Sequence, residues 1–184
     1  DLSYTIIDDN IKTLHDHMVD VVVKNKNEYL TEKQMDIGPI AIDLDFRYSK
    51  NVSTRQHTID DITSLLCMYS EIFKKIFCFK NNDKINAFVF EKPNVNMCEK
   101  ETKDGIHLIF GINCSTNVQK YVRIEAMKVF AGSECPMDIP ITNTWDDVYD
   151  LGISNRTTNW QLFGCRKPDN EAYKLTRHFK LIYD

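Results

Sequence analysis

The fold is decided by one stretch, Ile40-Ala41-Ile42-Asp43-Leu44-Asp45-Phe46. Apolar residues alternate with two aspartates in it, which predicts a β-strand buried on one face. Since residues i and i+2 of a strand point to the same side, Asp43 and Asp45 share a face, and the apolar residues beside them face the core. The strand therefore predicts two carboxylates side by side on an open face of a sheet.

Two neighbouring carboxylates repel each other, and each raises the pKa of the other. A divalent cation removes this conflict, and hard oxygen ligands suit Mg²⁺ or Mn²⁺. The alternative is a solvent-facing strand edge with two ordinary acids. The D-x-D pattern alone leaves both readings open, because it also occurs in nucleases and sugar transferases.

Length and composition indicate one folded domain. The chain has 184 residues, a formal net charge of −4, 42% hydrophobic and 27% charged residues, which excludes a disordered tail. Apolar runs are too short to cross a bilayer, and no signal peptide is visible. The six cysteines form no C-x-x-C pair and predict reduced thiols; a zinc site from Cys98, Cys114 and Cys135 has unsuitable spacing. We expect a piece of a longer protein.

The remaining periodicity predicts a mixed α/β fold rather than a strict βαβ repeat. We expect a helical segment over 1–36 and a core over 37–184, with a curved central sheet and flanking helices. The predicted helices are 8–30, 58–77 and 115–130. The predicted strands are 40–46, 85–90 and 106–112, with short strands near 147–152, 159–163 and 173–182. The predicted loops are 47–57, 92–104 and 131–146.

A second polar pattern lies in the stretch Lys103-Asp104-Gly105-Ile106-His107. Lys103, Gly105 and His107 alternate and therefore share one face of a strand. A cation, a residue without a side chain and a hydrogen-bonding imidazole suit a polyphosphate. The alternative is an ordinary core histidine with a satisfied partner.

A third pattern begins at Asp150, which could supply another carboxylate. The following segment, 153–180, holds six Lys and Arg against two acids. Its cations Arg156, Arg166 and Lys167 could hold phosphates. Taken alone, this stretch favours a plain turn with surface bases.

In this order, the three patterns resemble the archaeo-eukaryotic primase (AEP) superfamily, whose strands carry D-x-D, small-x-His and apolar-Asp. Within this superfamily, the chain most resembles the N-terminal primase domains of helicase-primases from large nucleocytoplasmic DNA viruses. An asfarvirus is the first candidate source. The resemblance covers about 36–182 and rests on these motifs: Asp43-Leu44-Asp45-Phe46-Arg47-Tyr48, Arg55-Gln56-His57-Thr58, Val89-Phe90-Glu91-Lys92, Gly105-Ile106-His107, Val148-Tyr149-Asp150 and Trp160-Gln161-Leu162-Phe163-Gly164-Cys165-Arg166-Lys167-Pro168.

The resemblance implies synthesis of short primers from nucleoside triphosphates on a single-stranded DNA template during viral replication. It implies two divalent ions, Mg²⁺ or Mn²⁺, held by Asp43, Asp45 and Asp150. The residues it assigns to the nucleotide are Lys103, Gly105, His107, Arg156, Arg166 and Lys167. Arg47 and Arg55 are candidates for template contact. Gly105 stands where many relatives have Ser, so one hydroxyl contact is missing.

The resemblance also implies a C-terminal helicase region in the full-length protein, since this chain has no P-loop for ATP hydrolysis. It implies an intracellular location, in the host cytoplasm or nucleus, and no membrane. Two alternatives remain open: a catalytically inactive module that binds nucleotide or nucleic acid, and a different metal-dependent enzyme such as a nuclease or sugar transferase.

Overall fold

A five-stranded antiparallel sheet carries the core in the computed structural model, which describes residues 3–183. The strand order is β2-β5-β3-β7, and the short β4 pairs with β5. In chain order the elements are α1 (Asp8–Val23), β1 (Thr31–Glu32), β2 (Ile37–Ser49), α2 (Ile59–Ile76), β3 (Asp83–Glu91), β4 (Asn96–Met97), β5 (Glu101–Ser115), α3 (Thr116–Phe130), α4 (Trp145–Val148), α5 (Leu151–Ser154), β6 (Trp160–Gln161) and β7 (Lys174–Tyr183). The mixed α/β class is confirmed.

One face of the sheet is covered by α2 and α3. Tyr69 and Phe73 of α2 pack on Phe110 of β5, with ring centroids 5.5 and 4.9 Å apart. Val122 and Phe130 of α3 belong to the same buried cluster. Burying this apolar face supplies the main stabilisation of the fold, at roughly 25 cal/mol per Å² of apolar surface. The other face carries polar residues, together with a smaller apolar cluster in which Ala41 packs with Ile153 and Trp160.

Helix α2 begins where the sequence predicts. The Thr58 hydroxyl accepts a hydrogen bond from the Asp61 backbone N–H, and the Asp61 carboxylate accepts from the Thr58 N–H, which forms a capping box. By contrast, α1 ends at Val23 rather than near residue 30. Asn25 has a φ of 48°, in the left-handed region that ends a helix and that Asn tolerates better than most residues.

The strands extend beyond their predicted limits because the ladder between β2 and β5 continues into polar sequence. β2 runs through Ser49, and β5 begins at Glu101, so parts of the predicted loops 47–57 and 92–104 are strand. Cross-strand hydrogen bonding holds these ends, together with the burial of the facing pair Tyr48 and Thr102.

The predicted strand near 147–152 is wrong. This segment consists of two short helices, α4 and α5, with one isolated bridge between Leu44 and Tyr149. A capping box between Thr144 and Asp147 starts α4, and the apolar pair Val148-Tyr149 is buried by tertiary packing. Among the described residues, no helix has the length and apolar character to span a bilayer.

A second, two-stranded sheet joins the N-terminal segment to the late part of the chain. β1 pairs with β6, so that Thr31 lies opposite Gln161. The Arg166 backbone N–H also donates to the Glu28 carbonyl, at 2.8 Å. This small sheet stands beside the polar face of the large one, and the boundary at residue 36 stays a prediction.

Candidate active site

The candidate site is a cleft on the sheet face turned away from α2. The register between β2 and β5 places Asp43 opposite His107 and Asp45 opposite Gly105. Because side chains alternate along both strands, these residues all face the cleft. The small sheet and the chain after it form the opposite wall, and the cavity between them has a volume of about 140 Å³.

The late acid Asp150 meets the early pair in this cleft. Its backbone N–H donates to the Asp43 carbonyl at 3.0 Å, next to the Leu44–Tyr149 bridge. Its carboxylate Oδ1 accepts from the Ile153 N–H at 2.8 Å and caps α5. One carboxylate oxygen from each of Asp43, Asp45 and Asp150 lies within 4.8 Å of the others. The structure therefore brings together three acids that are far apart in the sequence.

The acids fit a divalent cation. Asp43 Oδ1 is buried and accepts no hydrogen bond, a costly state unless another partner satisfies it. Three carboxylates offer the hard oxygen ligands that Mg²⁺ and Mn²⁺ prefer. Over residues 3–183 this is the single group of three or more metal-ligating side chains with suitable spacing.

Asp43 and Asp45 have pKa values that are shifted in opposite directions. Burial, together with the charge of Asp43, raises the pKa of Asp45 to about 6. Burial also opposes ionisation of Asp43, but His107 and the more distant Lys167 and Lys92 outweigh it and lower the pKa of this carboxyl. Asp43 therefore loses its proton at a lower pH than Asp45, and Asp45 ionises more readily when a positive charge is bound between them.

His107 lies in the cleft wall with 8% of its surface exposed. Its Nε2 is 3.3 Å from Asp43 Oδ1, an ion contact without hydrogen-bond geometry. The ring stacks on Tyr173 with centroids 3.5 Å apart and lies 4.7 Å from the Trp160 ring. The aromatic rings thus fix the imidazole beside the acids.

Two lysines bring positive charge to the acids. Lys92 and Lys167 both line the cleft, and burial lowers the pKa of Lys92. The family resemblance implied a nucleotide contact for Lys167 but no role for Lys92. The available signal was its place directly after β3, two residues beyond Phe90, which pairs with His107. Recognising it required the strand order, which the sequence does not reveal.

Three further predicted cations lie at the edges. Arg166 lines the cleft and donates through one guanidinium N–H to Asn25 Oδ1 at 2.9 Å. Arg47 and Lys103 pair across β2 and β5 on the cleft side. Lys103 Nζ is 3.2 Å from the Glu101 carboxylate, so it lies beyond the acids and not among the residues that line the cleft.

Two arginines that were predicted to contact nucleotide or template, Arg156 and Arg55, are held outside the cleft. The Arg156 guanidinium donates to backbone carbonyls, among them those of Met35 and Gly38, and it ties the N-terminal segment to β2. Arg55 lies on the helix-covered face of the sheet, where it forms a bidentate pair with Asp104 at 2.9 and 3.0 Å. Neither guanidinium lines the cleft, because each is held by acceptors outside it.

Gly105 does not leave the open backbone that the sequence suggested. A Cβ added there would lie 2.8 Å from the Tyr173 hydroxyl and 2.8 Å from the Leu44 carbonyl oxygen. The missing side chain makes room for Tyr173. Tyr173 lines the cleft and was not predicted, because no local pattern connects it to β5.

All six cysteines are free thiols.

Comparison with known proteins gives two matches. Residues 2–179 match the family described as the C962R protein N-terminal AEP domain. The chain is also 29% identical over 158 residues to the "Putative helicase L207/L206" of Acanthamoeba polyphaga mimivirus. That alignment covers 85% of this chain and 16% of the mimivirus protein, so the chain spans only a small part of its relative.

Proposed function

Because the chain belongs to the family of C962R N-terminal AEP domains, we propose that it synthesises short primers from nucleoside triphosphates on single-stranded DNA. The observation that carries this proposal is the convergence of Asp43, Asp45 and Asp150 in one cleft. An inactive binding module would need cations for phosphates but would have no use for three clustered acids.

We assign the three aspartates to two divalent ions, Mg²⁺ or Mn²⁺. When bound, such ions stabilise the attacking 3′-hydroxyl and the leaving pyrophosphate of an in-line displacement. Asp43 is the principal ligand, since its Oδ1 is buried without a hydrogen-bond partner. Asp150 presents one oxygen while the other holds the start of α5, which fixes the direction of its carboxylate.

The cations of the cleft would hold the triphosphate. Lys92 and Lys167 line the same cavity as the acids, and phosphoryl transfer depends mainly on positioning and charge neutralisation. His107 would donate to a phosphate oxygen, because the stacked rings of Tyr173 and Trp160 hold its imidazole in the cleft wall. Arg166, at the rim, would extend this positive surface.

The template would follow the exposed end of the β2–β5 ladder. Arg47 and Lys103 are exposed there on the cleft side, and cations of this kind contact DNA phosphates without reading sequence. We further propose that the full-length protein carries a helicase region, as the name of the mimivirus relative suggests, and that it acts in viral DNA replication in the host cytoplasm or nucleus.

The test is primer synthesis by the purified domain, with single-stranded DNA, labelled nucleoside triphosphates and Mn²⁺. We expect extended products from the wild type and none from Asp43→Asn. The matched control is Asp138→Asn, an exposed acid outside the cleft, which should keep wild-type activity. Nucleotide binding without products would favour the inactive module, and degradation of the template would favour a nuclease.

A further inference from the structure

Tyr173 lies at the centre of the cleft although it has no place in the motifs above. It precedes β7, its ring stacks on His107, and Lys92 Nζ lies 5.2 Å from the ring centroid, which is within range of a cation–π contact. The ring therefore joins the two groups to which we assign phosphate contacts.

The Tyr173 hydroxyl reaches past this stack to the acids. The position that a Gly105 Cβ would occupy is 2.8 Å from the hydroxyl oxygen and 3.4 Å from Asp45 Oδ1. The hydroxyl therefore lies over Gly105, on the same side of the sheet as the acidic group. Any side chain at residue 105 would compete with it for this space.

The hydroxyl has no partner of its own in the protein. Within residues 3–183, no hydrogen bond uses it, although the ring is largely enclosed by the cleft. Burial, together with the charges of Asp43 and Asp45, raises the pKa of Tyr173 well above its ordinary value. A phenol hydroxyl keeps its proton at neutral pH even without this shift, so it can donate one hydrogen bond to an anionic acceptor.

We propose, on the basis of the function above, that the Tyr173 hydroxyl donates a hydrogen bond to a phosphate oxygen of the bound triphosphate. Lys92 and His107 on either side of the ring would hold neighbouring phosphate oxygens, so the three donors form one surface. Tyr173 lies in the segment just before β7. Because Gly105 of β5 has no side chain, the Tyr173 hydroxyl can occupy the space above it.

The experiment is calorimetric binding of two ligands, each with Mg²⁺: ATP, and inorganic tripolyphosphate, which has neither sugar nor base. The variant is Tyr173→Phe, which keeps the ring stacked on His107 and removes only the hydroxyl. Loss of a hydrogen bond to a charged group predicts about tenfold weaker binding or more. Tyr121→Phe, in an exposed tyrosine of α3, is the matched control and should bind both ligands as the wild type does.

Each of the four possible results supports or overturns the proposed phosphate contact. Equal weakening for both ligands, with an unchanged melting temperature, supports the phosphate contact. Wild-type affinity in Tyr173→Phe overturns it and leaves the proposed function standing. Weaker binding of ATP alone also overturns it, because the hydroxyl then contacts the nucleoside. Failure of the wild type to bind either ligand overturns the inference and the proposed function together.

Discussion

The two faces of the central sheet hold their charges in opposite ways. On the face covered by helices, Arg55 contacts Asp104 and Glu91, and His57 Nε2 lies 2.9 Å from Glu91 Oε1. On the cleft face, three residues beyond Asp104 along β5, His107 faces Asp43, whose Oδ1 has no hydrogen bond. Residues of the same strands thus form a paired ion network on one side and an unpaired acidic group on the other.

This difference predicts separate roles for the two groups: the paired network stabilises the fold, and the unpaired acids serve the proposed reaction. Buried charges remain folded only when they are paired and hydrogen-bonded, and the Arg55 network meets this condition. The cleft acids do not meet it, so their mutual repulsion works against the folded state until a cation binds. Breaking the first group should therefore destabilise the fold, whereas breaking the second should stop the proposed reaction.

The largest effect is expected for Asp45→Asn. Loss of a metal ligand worth several kcal/mol should reduce primer synthesis about 10³-fold or more. Without metal, the melting temperature should be unchanged or higher, because Asp45 is ionised against the charge of Asp43. Thermal unfolding with and without Mn²⁺ checks this, since the rise that Mn²⁺ causes in the wild type should be lost. A strongly destabilised variant would contradict the comparison.

Arg55→Ala should have the largest effect on stability. It leaves Asp104 buried without its arginine and removes one of the two arginines that contact Glu91, which costs about 3–5 kcal/mol and lowers the melting temperature by about 10 °C for a chain of this size. Arg47→Ala, whose side chain is half exposed on the other face, should leave the melting temperature nearly unchanged. Equal melting temperatures of the two variants would show that the network adds no stability.

Glu91 gives the network a distinct acid response. Burial opposes its ionisation, but hydrogen bonds from His57 and Thr176 and the charge of Arg55 prevail and lower its pKa to about 2 from the ordinary 4.5. Because the folded-state value is the lower one, the unfolded chain takes up the proton first. This stabilisation, about 3 kcal/mol, is present above pH ~4.5 and is lost as the pH falls towards 2.

The measurement is the free energy of unfolding by urea between pH 2 and 6. Glu91→Gln should be less stable at pH 6 and should show a flatter decline with acid than the wild type. Glu71→Gln, in an exposed glutamate on α2, should retain the full wild-type slope. If the free energy of unfolding of Glu91→Gln falls with pH in parallel with the wild type, other groups cause the loss of stability in acid.

The smallest effect is expected for Lys92→Met. The change keeps most of the apolar stem but removes the charge beside the acids, so triphosphate affinity should fall about tenfold, as for a lost charged hydrogen bond. Lys103→Met, on the same side of the sheet but paired with Glu101, should change affinity less. Titration calorimetry with Mg²⁺ and ATP compares the two, and a larger loss in Lys103→Met would reverse the assignment.

Local sequence was sufficient for the long elements. The alternation around Asp43 and Asp45 predicted β2 and the shared face of the two acids, and the Thr58–Asp61 pair predicted the start of α2. These features depend on side-chain period and on capping, which involve residues a few positions apart. The order of the three motifs also led to the correct family.

Only the tertiary structure decided which side chains meet. Arg55, Arg156 and Lys92 are all cations in loops or at element ends, and no local pattern shows that the first two bind buried acceptors while the third lines the cleft. Tyr173 reaches the acids because β7 returns to pair with β3, and Asp150 does so because its neighbour Tyr149 forms a bridge with Leu44. Contacts between distant segments depend on strand order and packing, which a one-dimensional pattern does not contain.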